Sequence, residues 1–131
     1  MNYEGRVMNY EVKITDRVFA FAVRIIRLCK FLESQDRVSR TLANQLLRSG
    51  TSIGANVEEA QAGQSKADFT AKMSIARKES RETHYWLRLL HATALVDESK
   101  LSDIIQESDE LVRILTGIVK SAQTGAKTNE L

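Results

Sequence analysis

Six polar side chains, Ser74, Arg77, Arg81, His84, Arg88 and His91, follow one another at spacings of three and four residues. On a helix that turns about 100° per residue they line one stripe. Arginine presents a planar fork of donors that matches phosphate oxygens, so such a stripe is suited to following the backbone of RNA or DNA. Arg77, Arg81 and Arg88 are the expected phosphate contacts, with His84 and His91 beside them. No aromatic residue interleaves the stripe, so stacking of single-stranded bases is not expected. The alternative is a solvated face whose arginines pair with acidic residues of the next helix, since exposed charge lines often do no more than pair weakly.

Other chemistries find less support. A carboxylate-bridged metal pair in a helical bundle needs Glu-x-x-His on two helices, but the residues three before His84 and His91 are Arg81 and Arg88. Gly50 and Gly54 lack the Gly-Lys-Ser/Thr ending of a phosphate loop. Cys29 falls in an apolar seam, has no histidine on its own helix and reads as a small buried hydrophobe. Glu79 and Glu82 share a line with Ile75, Trp86 and Leu89. Carboxylates there need partners, and Arg17, Arg24 or Arg48 are candidates. A catalytic dyad is the alternative for these two glutamates, but no substrate pocket is implied. The expectation is a protein with no catalytic residues, no metal and no cofactor, hence not an enzyme.

The elements that must carry these residues are helical. The chain has 131 residues, 43% of them hydrophobic, with no proline and six glycines, a balance that favours long helices and one core. Residues 15 or 16 open a first helix with the seam Val18, Ala22, Ile25, Cys29 and Leu32. Phe19, Val23 and Ile26 flank it on one side and Phe21, Leu28 and Phe31 on the other. A helix this apolar around its girth is buried on more than one side, which points to a subunit interface and a homo-oligomer. A second helix over residues 39–62 has the seam Ala43, Leu46, Gly50, Ile53, Val57 and Ala60, and Gly63-Gln64 ends it. A third opens at Ser65, three residues before Asp68. Its seam is Phe69, Met73, Ala76, Ser80, Thr83, Leu87, Leu90 and Ala94. A fourth follows a turn at 97–99, with the seam Leu101, Ile104, Ser108, Leu111, Leu115, Ile118 and Ala122. The expected fold is all-α, an antiparallel up-down-up-down four-helix bundle over residues 15–123. An N-terminal arm over 1–14 and a polar tail over 124–131 flank it. Met1-Asn2-Tyr3-Glu4 recurs as Met8-Asn9-Tyr10-Glu11, so either methionine can be the start.

Charge is unevenly shared. The net charge is only +2, from 19 basic and 17 acidic residues, short of the strongly basic balance common in nucleic-acid-binding domains. Residues 65–95 nevertheless carry six basic and three acidic side chains, while residues 97–123 carry three basic and six acidic. The third helix is thus positive and the fourth negative. A single cysteine, the lack of an apolar leader and the lack of a membrane-length apolar run place the chain in the cytoplasm, away from membranes.

The run Arg48-Ser49-Gly50-Thr51-Ser52-Ile53-Gly54-Ala55-Asn56-Val57-Glu58-Glu59-Ala60 is the most distinctive segment. A helical glycine costs about 1 kcal/mol relative to alanine, so close packing must compensate. Gly50, Ser52, Gly54 and Ala55 lower the side-chain relief, and Phe69 or Trp86 is expected to fill the space. Asn56, if buried, must satisfy its amide, and bonding to a neighbouring helix would fix register; half-exposure is the alternative. Glu58 and Glu59 are expected in salt bridges. With Ser65-Lys66-Ala67-Asp68-Phe69 and Lys78-Glu79-Ser80-Arg81-Glu82-Thr83-His84-Tyr85-Trp86-Leu87, this run closely resembles a four-helix-bundle family. That family is named for reading frames within intervening sequences of bacterial 23S ribosomal RNA genes and is also labelled ribosomal protein S23. The resemblance covers roughly residues 15–122 and is most specific over 52–59. It implies a left-handed bundle that assembles as a homopentamer, with no catalytic residues to carry over. A relative in the same superfamily, the accessory protein of diversity-generating retroelements, looks like a basic pentameric barrel that binds nucleic acid and a reverse transcriptase. Repeated around a ring, the basic stripe would gain from multivalency. Two functions follow as expectations: a bundle that binds RNA or DNA, or an adaptor that binds another protein without nucleic acid.

Overall fold

The computed structural model describes residues 14–130, with side chains to residue 124. The arm over residues 1–13, with its duplicated Met-Asn-Tyr-Glu, lies outside the described residues. Ile14 does not belong to an arm: it is the first residue of α1 and is buried in the core. Four helices follow in order, α1 (Ile14–Glu33), α2 (Arg37–Gln61), α3 (Lys66–Ala92) and α4 (Glu98–Glu130). They form an all-α four-helix bundle. Each helix packs on the next along the chain, whereas α1 and α4 bring their backbones close at only a few positions.

Local chemistry sets the boundaries. Asp36 caps α2, its Oδ1 accepting the Ser39 N–H at 2.8 Å. This cap starts the helix two residues before the expected Ser39, which is itself buried. Ser65 caps α3, its hydroxyl accepting the Asp68 N–H at 3.0 Å. Both caps satisfy amides that have no partner inside the helix. After α3 the chain turns without glycine. Ala94 takes the left-handed conformation at φ 55°, the Ala94 N–H donates to His91 O and the Leu95 N–H to Leu90 O, the bonding pattern of a Schellman cap. The backbone of α4 runs on through the polar segment beyond residue 123, where no proline interrupts it.

The core is a continuous stack that includes Phe21, Ile25, Leu32, Leu46, Ile53, Met73, Leu87, Leu90, Leu101, Leu111 and Leu115. The two helical glycines of α2 face α1. A Cβ at Gly50 would meet Ile25, and one at Gly54 would meet the Val18 backbone. The space expected for Phe69 or Trp86 is therefore taken by α1 side chains and backbone. Phe69 and Trp86 are only partly buried at the edge of the core. A buried contact between side-chain hydroxyls joins Ser49 on α2 to Thr83 on α3, 2.9 Å apart.

Candidate nucleic-acid interface

Burying Met73, Ala76, Ser80, Thr83, Leu87 and Leu90 fixes the rotation of α3. That rotation brings Ser74, Arg77, Arg81, His84, Arg88 and His91 along its side next to α4, where none is fully buried. Among the described residues, the acid-rich face of α4 forms no ion pair with the arginines, and Arg77, Arg81 and Arg88 have no carboxylate within salt-bridge distance. Asp109 pairs instead with Arg113 on its own helix at 3.1 Å, and Glu107 and Glu110 are held by Arg17 at 2.7 and 2.9 Å. Among the described residues only the end of the stripe has a carboxylate partner, His91 Nε2 lying 3.1 Å from Glu98 Oε1. Arg77 Nε is buried and has no hydrogen-bond partner among the described residues.

His84 sits half-buried between Arg81 and Arg88. Burial first, and then the positive charge of Arg88, hold its pKa below the ordinary histidine value of 6.5, with Asp109 pulling the other way. Tyr85 is the residue that the stripe pattern misses. It is 47% exposed, the Arg88 guanidinium lies 5.8 Å from its ring centroid, and Trp86 packs edge-on against it at 5.2 Å. Its spacing of three from Arg88 and four from Arg81 was the available signal, since such pairs meet on a helix surface. An exposed ring thus flanks the stripe, although no aromatic residue interleaves it.

The other singled-out residues have structural surroundings. Arg48 bridges Glu79 at 3.4 Å and also Glu82, whose carboxylate accepts from Trp86 Nε1 at 3.1 Å. Of the three candidate partners, Arg48 takes both glutamates, and Arg17 serves α4 instead. Asn56 is half-buried and donates to the carbonyl and hydroxyl of Ser52 one turn back, at 2.9 and 3.1 Å. It does not reach a neighbouring helix; the Ser49–Thr83 contact supplies the interhelical polar bond. Glu58 and Glu59 are exposed and form no salt bridge among the described residues. Cys29 is buried against α2, its thiol 3.5 Å from Ala43 O. Burial, aided by Glu33, pushes its pKa up to about 11, so it stays protonated. Among the described residues no cluster of His, Cys, Asp or Glu is arranged to hold a metal ion, and no helix is long and apolar enough to cross a membrane.

These features define a four-helix bundle with an arginine stripe on one of its outer faces. The model of the 23S rRNA-intervening sequence protein family matches residues 10–117, and the chain belongs to that family. A crystal structure of a protein of unknown function from the S23 ribosomal protein family of Bacteroides thetaiotaomicron is similar over 82% of this chain and 98% of that one. The two are 44% identical, with a TM-score of 0.75. No curated protein matches the chain. Neither the family description nor that of the solved relative names an enzymatic activity.

Proposed function

We propose that this chain is a non-enzymatic, homo-oligomeric bundle of the cytoplasm that binds RNA or DNA through the α3 stripe. The supporting observation is that Arg77, Arg81 and Arg88 have no carboxylate partner among the described residues although α4 beside them is acid-rich. Cations whose neighbouring acids are engaged by other bases stay open to an external polyanion. Tyr85 adds a ring on which a base can stack beside Arg88. Self-assembly, with five subunits as the family resemblance implies, is supported by an apolar face on α1 and α2. There Phe19, Ile26 and Leu47 are 67%, 43% and 40% exposed, an arrangement typical of a surface that meets a partner. Copies arranged in a ring would repeat the stripe and raise avidity.

Electrophoretic mobility shift with structured RNA, repeated over a salt series, tests the binding. Affinity is expected to fall steeply with salt, and Arg81→Glu to weaken it and reduce the salt slope by about one to two. Undetectable or salt-independent binding would overturn the nucleic-acid reading. Recovery of a single protein partner after nuclease treatment would then favour the adaptor. Light scattering tests assembly separately: a mass of 14.8 kDa at micromolar concentration, that of one chain, would exclude the oligomer.

A further inference from the structure

The seam between α1 and α4 is the one neighbouring pair whose backbones stay apart. It holds an open groove of about 290 Å³ lined by Arg24, Arg27, Leu28, Phe31, Lys100 and Ile104. Leu28, Ile104 and the half-buried Phe31 make an apolar floor. Arg24 and Arg27 stand on the α1 bank and Lys100 on the α4 bank. Among the described residues neither arginine makes a hydrogen bond or an ion pair.

Apart from Asp103, the acids near the groove are committed elsewhere. Arg17 holds Glu107 and Glu110, Asp97 accepts from the Ser99 N–H at 3.2 Å and from its hydroxyl, and Glu98 meets His91. Asp103, next to Ile104, is exposed and pairs with neither arginine. The groove is therefore a small apolar trough with three cations above it.

We infer that this groove docks an acidic amphipathic helix of a partner protein. The helix would place one bulky aliphatic side chain on Leu28 and Ile104, beside Phe31, with flanking Asp or Glu residues reaching Arg24, Arg27 and Lys100. The groove is open to solvent, and about 290 Å³ admits one or two side chains of a partner laid across it. Arg24 and Arg27 are three residues apart, about 4.5 Å along the axis, so they match carboxylates one turn apart on an opposing helix. Helix-in-groove recognition uses this combination of apolar anchors and charged flanks. A nucleic acid fits less well, because Lys100 Nζ already covers the Phe31 ring at 5.1 Å from its centroid, removing that face from base stacking. Around α1, Arg24 and Arg27 lie about 80–160° from the Phe19 and Ile26 line. The groove is thus separate from the proposed self-association face and from the α3 stripe, and the inference does not rest on nucleic-acid binding.

Selection of a displayed library of randomised helical peptides on the full-length protein tests this. Enriched sequences are expected to carry an aliphatic residue with Asp or Glu three or four positions away. Fluorescence anisotropy of one enriched peptide should show at least about tenfold weaker binding to the Arg24→Glu/Arg27→Glu variant. Arg81→Glu should leave its affinity within about twofold, since a distant exposed charge is screened. If charge reversal disturbs folding by circular dichroism, Arg24→Gln/Arg27→Gln removes the same charges more gently and should still weaken binding. The inference is overturned if no such sequences are enriched, or if the peptide binds the charge-neutral variant as tightly as the parent. It is also overturned if the variants weaken RNA binding while peptide binding is untouched, which would assign the groove to nucleic acid.

Discussion

Gly50 of α2 packs directly against Ile25 of α1: a methyl group at position 50 would lie 2.7 Å from Cγ2 and 2.9 Å from Cγ1 of Ile25. Ile25 is fully buried and has no free space to yield. At Gly54, one turn on, the same methyl group would sit 3.5 Å from the Val18 carbonyl oxygen, an ordinary contact. The two glycines of one motif therefore predict opposite outcomes. Gly50→Ala overpacks the core, costing about 1–3 kcal/mol, against about 1 kcal/mol gained in helix propensity, and should lower the denaturation midpoint. Gly54→Ala keeps the propensity gain and should be neutral or stabilising. Chemical denaturation of both variants measures the contrast, and equal effects would show that the α1–α2 approach is not what Gly50 secures.

The heptad seams made most of the fold legible. Every seam residue of α2, from Ala43 through Gly50 to Ala60, is buried as its spacing implies, because one apolar stripe per helix leaves a bundle few ways to close. What could not be read was which neighbour fills a gap. Gly50 and Gly54 announce a close approach, but sequence spacing within α2 does not say that Ile25 and Val18 of α1 make it. Asn56 shows the same limit. Its type and seam-adjacent position suggest an interhelical bond, yet a turn of helix places the Ser52 carbonyl and hydroxyl within 3.1 Å, and that local partner wins. For the candidate site, the stripe from Arg77 to His91 was visible as a period. Its lack of carboxylate partners among the described residues was not, because Asp109 turns to Arg113 within α4 and Glu107 to Arg17 across on α1, and the spacing of α3 residues says nothing of either choice.

Ala94 carries backbone strain that glycine would relieve. It is the only non-glycine residue at positive φ among those described, and it closes the cap of α3 where glycine is usual. An L-residue in the left-handed region costs about 1–2 kcal/mol. Glycine removes that cost while adding some entropy to the unfolded chain. Ala94→Gly should therefore stabilise the protein by about 1 kcal/mol, a rise of about 3–5 °C in Tm for a chain of this size. Calorimetry decides it, and a lower Tm would mean that the Ala94 methyl contributes packing that outweighs its strain.

Asp36 links the start of α2 to pH. Its carboxylate accepts the Ser39 N–H at 2.8 Å, and that backbone bond, with the serine side chain next, lowers its pKa from the usual 3.8. With the folded pKa below the unfolded one, the cap's contribution is present above about pH 4 and is lost as pH falls through the folded value. Asn caps a helix as well as Asp without titrating. Asp36→Asn should match the parent at neutral pH and fall less steeply in stability as the pH is taken below about 4. Urea melts at several acidic pH values read this difference; parallel curves for the two proteins would remove Asp36 as a source of acid sensitivity.

His84 ties the proposed binding to pH in the opposite sense to stability. Burial and Arg88 hold its folded pKa below 6.5, so at neutral pH the stripe carries its arginines and an uncharged imidazole. The unfolded state takes up the proton first. The stability that His84 contributes is therefore present above about pH 6.5 and is lost as pH falls through the lowered folded value. Protonation of the folded protein adds a positive charge between Arg81 and Arg88, which strengthens attraction to phosphate. In a His91→Gln background, which removes the other histidine of the stripe, RNA affinity should rise and Tm should fall as the pH is lowered from about 7 to 5.5. Adding His84→Gln should flatten both trends. Anisotropy titrations and thermal melts on the same samples make the comparison. An affinity trend that survives His84→Gln would place the titrating group elsewhere on the binding surface, and a Tm trend that survives it would place the acid-sensitive group outside the stripe.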